Sequence, residues 1–189
     1  MITLHIFTEE PSAKTVFNQI LPKILPEVAF HIYSHQGKQD LEKALKTSVP
    51  SISRLPGARI LIIRDQDSGK CKVVKQRLED LIKNQCQSPW SIRIACHELE
   101  SWFLGDLNAV KRAYPKFKLE HHQNKANFRQ VDNIENPSQF LLSIIPEYQG
   151  REWLPKLEVS AKISQFLDLS NNHSTSFNHT VTGIKKLIG

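Results

Sequence analysis

The residues with the most chemical potential are Arg64-Asp65-Gln66-Asp67-Ser68-Gly69, directly after the apolar run Ile60-Leu61-Ile62-Ile63. Two carboxylates one residue apart at the end of an extended segment project to the same side and can share one divalent cation. The structural alternative is that Asp65 and Asp67 only turn the chain and cap the next helix. Further charged groups follow other extended segments. Glu9 and Glu10 come after residues 2–8, Lys38 after the turn at Gln36-Gly37, and His97, Glu98 and Glu100 after Ser91 to Cys96. Crowded carboxylates stay ionised only when a cation neutralises them. Oxygen-only ligands suit Mg²⁺ or Mn²⁺, which polarise a phosphodiester and activate water for in-line attack. Glu9, Glu10, Asp65, Asp67, Glu98 and Glu100 are therefore candidate metal ligands. Lys38 is a candidate partner for a phosphate, and His97 a candidate base or phosphate contact. Their structural alternatives are a surface lysine after a turn and a hydrogen-bonded histidine. Glu98 and Glu100 point together in a strand but diverge by about 200° at a helix start. Ser101 breaks the His-Glu-x-x-His zinc signature, His121-His122 has no partner at helical spacing and reads as exposed loop, and no phosphate-cradling glycine loop is present.

Positioning these groups requires a particular order of elements. Residues 2–8 alternate as a strand, Pro11-Ser12 opens a helix through Val16, Phe17, Ile20 and Ile24, and Pro22 should kink or end it. A second strand fits Ala29 to Ser34, a helix carries Leu41, Ala44 and Leu45, and Pro50 to Gly57 reads as a loop. The Ile60 strand follows, then a helix over Lys70 to Cys86, then a fourth strand over Ser91 to Cys96. Strands alternating with helices predict an α/β fold, a four-stranded, mainly parallel sheet flanked by helices. In such sheets, sites form at the carboxyl ends of the strands, so acidic groups from separate strand ends converge on one edge. From Leu99 the periodicity is helical through Trp102, Phe103, Leu107, Val110 and Tyr114, with Trp102 and Phe103 expected in the core. Residues 115–137 are irregular. Short helices are expected over Phe140 to Ile145 and Val159 to Leu167, then a closing helix to Ile188. The expected division is an α/β core over 1–105 and a helical C-terminal part over 106–189, packed together as one unit.

Composition narrows the class. The chain has 189 residues, long enough for a real core, and its net charge of +6 reflects 25 basic against 19 acidic side chains. That is a mild lean towards polyanions such as nucleic acid. The absence of any long apolar stretch or leader pattern leads to an expectation of a cytoplasmic protein with no membrane partner. Cys71, Cys86 and Cys96 are odd in number and scattered, which fits reduced thiols.

The combined pattern resembles the Toprim fold, in which a glutamate follows the first strand and Asp-x-Asp follows the third. The matching pieces are Thr8-Glu9-Glu10-Pro11-Ser12, Gln36-Gly37-Lys38, Arg64-Asp65-Gln66-Asp67, Ile94 through Leu104, and Asn172-His173-Ser174-Thr175-Ser176-Phe177. They cover nearly the whole chain and are similar to an uncharacterised bacterial Toprim-like family related to OLD nucleases. The resemblance implies Glu9, Asp65 and Asp67 as metal ligands, and the Leu99-Glu100-Ser101 piece favours Glu100 over Glu98 as a further one. It implies a nuclease cutting DNA or RNA (tRNA included), an effector of anti-phage defence working with an SMC-like or ABC-type ATPase. One departure bears on this. The first motif usually reads Glu-Gly-x-x-Glu, but here the glycine is Glu10 and the second glutamate is Ala13. Either Glu10 substitutes, or one metal suffices, or the chain is a catalytically silent module that binds a partner protein or nucleic acid.

Overall fold

Four short apolar segments become strands in the computed structural model, which describes residues 1–189: β1 (Thr3–Thr8), β2 (Ala29–Ser34), β3 (Ala58–Asp65) and β4 (Trp90–Ala95). Their aromatic and β-branched side chains suit a pleated surface. The order is β2-β1-β3-β4 and every pairing is parallel, where the sequence led us to expect a mainly parallel sheet. Thr8 lies opposite Ser34 on one side and Ile63 on the other, so the carboxyl ends of the strands line up along one edge. Central β3 explains the unbroken apolar run. Ile60, Leu61, Ile62 and Ile63 are all at most 1% exposed because helices cover both faces. Each such side chain contributes about 1.5–3 kcal/mol of burial free energy.

Helices α1 (Pro11–Ile24), α2 (Lys38–Ile52) and α3 (Cys71–Ile82) form the crossovers. The chain runs outward from β1 to β2, then back past β1 to β3 and on to β4. Right-handed crossovers therefore put α1 on one face and α2 and α3 on the other. The direction reverses between β1 and β3, and there the outgoing connections part onto opposite faces of the sheet. Glu9 and Glu10 leave β1 at this point, and Asp65 closes β3 beside them.

The α1 face carries the larger core. Leu4, Ile6, Leu61 and Ile63 meet Val16, Phe17 and Ile20 of α1 and a layer of C-terminal helices. These are α4 (Ser101–Leu104), α5 (Leu107–Ala113), α6 (Pro137–Ile144), α7 (Lys156–Ser164) and α8 (Thr175–Ile188). One apolar cluster thus runs from Leu4 to Ile184, across the expected division at residue 105. Trp102 and Phe103 are fully buried in it. The opposite face has a smaller core of Phe7, Leu41, Leu45, Ile60, Ile62, Leu78 and Ile92.

Several local expectations need correction. Pro22 does not end α1, and α2 runs through Pro50 to Ile52 where a loop was expected. Each proline lies near its helix's end, and the carbonyls it leaves without a partner belong to exposed Asn18 and Lys46, which water can reach. The helix over Lys70 to Cys86 stops at Ile82. The continuous helix read from Leu99 to Tyr114 is broken at Gly105-Asp106. Asp106 caps α5 by accepting from the Ala109 N–H at 2.9 Å, and a Cβ at Gly105 would overlap the Asn172 amide. His122 is not loose loop but a half-buried ring stacked 5.2 Å from Phe117. All three cysteines are free thiols, and burial pushes the Cys96 thiol up to about 11. No helix is long and apolar enough to cross a membrane.

Candidate functional site

The acidic loops are held as extensions of the sheet. The Gly37 N–H donates to the Glu9 carbonyl at 2.9 Å, Gln66 N–H to Ala95 at 2.9 Å, and Asp67 N–H to His97 at 2.8 Å. Gln66 also clasps its own turn through Gly69. Asp67 and His97 both take positive φ, 54° and 56°, a conformation that side-chain-bearing residues seldom adopt and that persists where surrounding bonds impose it.

That backbone geometry overturns the expectation that Asp65 and Asp67 face one way. The strand ends at Asp65, and the left-handed turn at Asp67 cancels the two-residue alternation. Asp67 is exposed and its charge bears on Glu9, whereas Asp65 is buried on the α1 face. The charged residues fall into two neighbouring groups, one on each side of the sheet edge.

On the α2 side, Glu9 lies 3.5 Å from the Arg64 guanidinium, which also donates to Glu42 at 3.1 Å. Burial pushes the Glu9 carboxyl up, the Asp67 charge adds to this, and Arg64 pulls the other way. Glu9, Gly37, Lys38 and Asp67 line an open cavity of about 340 Å³. A second cavity, about 480 Å³, is lined by Asp67, Ser68, His97, Glu98, Glu135 and Asn136. His97 is thus on the rim with the acidic residues.

On the α1 side, Glu10, Glu98 and Glu100 surround a residue that the sequence did not single out. The Lys156 ammonium, on the first residue of α7, lies 3.5 Å from Glu10, 3.8 Å from Glu98 and 3.7 Å from Glu100. Asp65 acts on the same ammonium. Burial alone would depress the lysine, but Glu100, Glu10, Glu98 and Asp65 outweigh it and hold the lysine protonated, above its ordinary value. Burial and the Glu100 charge drive the Asp65 carboxyl well above the ordinary range. Glu100 is raised to about 7, chiefly by burial, with Lys156 opposing.

The two glutamates left open by the sequence now differ. One Glu98 oxygen accepts from the Ser138 N–H at 2.9 Å and so caps α6. Glu100 is 0% exposed, and no other residue gives its oxygens a hydrogen bond; the Lys156 ammonium, 3.7 Å away, is the only cation beside it. A buried carboxylate left without donors is costly unless a cation meets it. The donor set of Glu10, Asp65 and Glu100, all hard oxygens, therefore fits Mg²⁺ or Mn²⁺ in kind. As the side chains stand, no three acidic, imidazole or thiol groups converge at metal-binding range. Lys156 stands between them.

The late motif has a structural role. Ser174 caps α8 by accepting from Phe177 N–H at 3.2 Å and donates to Asp132 at 2.7 Å. Ser176 accepts from the Trp102 indole at 3.0 Å, and its N–H donates to Asp132 at 2.9 Å. Asn172 donates to the Trp102 carbonyl at 2.9 Å. This network fastens α8 to α4, and so fixes the segment carrying Glu98 and Glu100. Asp132 lies in a stretch without periodicity, and its only sequence signal was being an acidic residue amid short polar turns.

Four parallel strands with acidic residues gathered at the switch point define an α/β protein whose candidate site lies outside the carboxyl ends of β1, β3 and β4. Within that class, residues 8–185 match the pattern of the family described as Domain of unknown function (DUF4276), and the chain belongs to that family. No curated protein and no solved structure matches it.

Proposed function

We propose that this chain is a divalent-metal-dependent phosphodiesterase of Toprim-like architecture that acts on nucleic acid. The observation that carries the reading is Glu100, fully buried at the sheet edge beside Asp65 and Glu10, with no partner from another residue except the Lys156 ammonium 3.7 Å away. A bound Mg²⁺ or Mn²⁺ would supply Lewis acidity and an activated water. Asp65, Glu100 and Glu10 would hold it, with Glu9, Asp67 and Glu98 at the margins of the same edge. Lys38 and His97 line the adjoining cavities, where a cationic or proton-accepting group can meet a phosphate oxygen or take the attacking water's proton. Water oxygen bonds to phosphorus as the ester P–O bond breaks, and the leaving oxygen collects a proton. In this reading the protein works in the cytoplasm on DNA or RNA, as the nuclease of a defence system with an SMC- or ABC-type ATPase partner.

Incubation of purified protein with Mg²⁺ or Mn²⁺ and DNA, total RNA or tRNA tests this, with Asp65→Asn as the control. Cleavage by the wild type that falls at least a hundredfold in the variant is expected. Equal cleavage by both removes Asp65 from the reaction. A second reading, a silent binding module, draws on Ala13 at the usual second glutamate and on a lysine standing among the acidic groups. It predicts no cleavage with any metal or nucleic acid, and co-purification with an ATPase.

A further inference from the structure

Three carboxylates from two stretches of the chain lie around Lys156, yet it makes no close bond to any of them. Charge-assisted hydrogen bonds are ordinarily about 2.7–2.9 Å long, and here the separations are 3.5, 3.7 and 3.8 Å. The ammonium sits centrally, as a cation shared by the group. It supplies a single positive charge to Glu10, Glu98, Glu100 and the nearby Asp65, and leaves both Glu100 oxygens without a hydrogen bond from another residue. Its anchorage allows movement. The α7 backbone is fixed by buried Val159 and Ile163, and Lys23 of α1 donates to the Gln165 carbonyl at 2.6 Å. The Lys156 side chain is 30% exposed, so its flexible stem has an outlet to water without any shift of the helix.

We propose that Lys156 is a tethered stand-in for the divalent ion: it occupies the cation locus of Glu10, Asp65 and Glu100, beside Glu98, and must swing out before Mg²⁺ or Mn²⁺ can enter. This rests on the metal-dependent reading above. Its consequence is competition. A ligand's apparent affinity falls in proportion to the fraction of protein whose site is open. If the ammonium holds the locus nine-tenths of the time, removing it tightens metal binding about tenfold.

Mn²⁺ binding, measured by titration calorimetry on the full chain at pH 8, tests this in the wild type, Lys156→Met and Lys156→Arg. Methionine keeps most of the stem and removes the charge, while arginine keeps the charge. The expected result is Mn²⁺ binding at least tenfold tighter in Lys156→Met, and within a few-fold of wild type in Lys156→Arg. A second measurement needs no variant. The acylation rate of Lys156 in the wild type, read by mass spectrometry, should rise several-fold with saturating Mg²⁺, while exposed Lys72 stays constant. If the wild type binds Mn²⁺ and Lys156→Met binds it no tighter, or if Mg²⁺ leaves Lys156 acylation unchanged, the stand-in role is overturned and the metal reading survives. Failure of the wild type and Lys156→Met alike to bind Mn²⁺ overturns the metal reading and this inference together. Tighter binding in Lys156→Met without cleavage of any nucleic acid upholds the inference and overturns the nuclease.

Discussion

Replacing Glu100 with glutamine should change the pH dependence of stability in a calculable way. Glu100 is 0% exposed, and burial raises its carboxyl from the ordinary 4.5 to about 7. Between those values the folded state binds more protons than the unfolded state, so stability falls as pH rises through this window and levels off above it. The interval corresponds to a loss on the order of 3 kcal/mol from this one group between pH 4.5 and pH 8. Glutamine keeps the size of the side chain and cannot ionise. The groups facing position 100 are Asp65 on β3, Glu10 after β1, Glu98 before α4 and Lys156 on α7. Asp65 is itself raised, in part by the Glu100 charge, and contributes a slope of the same sign, so the difference between variant and wild type reports Glu100 together with its coupling to Asp65. Urea unfolding at half-unit steps from pH 5 to 8, in buffer stripped of divalent ions, reads the effect. The wild-type curve should drop more steeply than that of Glu100→Gln, and the gap between the slopes should sum to roughly 2–3 kcal/mol. Identical slopes would refute the claim that Glu100 is buried as an unrequited carboxylate, and the metal argument would lose its main support.

Other outcomes follow from the network around α8 and from the turn before α5. Asp132→Ala removes the acceptor shared by Ser174 and Ser176 and should cost about 1–3 kcal/mol in urea unfolding, leaving the Ser176 N–H unpaired and the Ser174 hydroxyl with only the Ser176 hydroxyl. Trp102→Phe should cost about 2–3 kcal/mol, seen as a lower thermal midpoint, since the indole N–H bond to Ser176 disappears and the smaller ring leaves a gap in a fully buried site. Gly105→Ala places a methyl group against the Asn172 amide and the Ser174 N–H, and should cost about 1–3 kcal/mol in the same assay. Mn²⁺ at saturating concentration should raise the wild-type midpoint and leave that of Asp65→Asn unmoved.

Much of this arrangement was readable because it depends on local signals. Ile60 to Ile63 is apolar at every position, which only a strand covered on both faces accommodates, and the alternation of strands with helices carried the parallel sheet with it. Glu9, Asp65, His97 and Glu100 could be assigned to one edge for the same reason. The direction of Asp67 could not be read, because it turns on a single positive φ that no pattern of residue types announces. Pro22 and Pro50 misled because the cost of a proline depends on whether the orphaned carbonyl meets water, and that is settled by tertiary position. Lys156 was invisible for a different reason. A lone lysine at a helix start is ordinary until the fold brings it from the last quarter of the chain onto carboxylates that precede it by 56 to 146 residues.

That separation has a consequence for synthesis on the ribosome. When the first hundred residues have emerged, all four strands exist, but the cation that settles their acidic edge has not been made. The apolar face formed by Leu4, Ile6, Leu61 and Ile63 has α1 and lacks the later helices that complete its cover. The nascent sheet therefore carries both a bare cluster of negative charge and a wet hydrophobic surface until translation passes α7 and α8. A fragment ending near residue 105 should be an aggregation-prone intermediate and not a minimal enzyme.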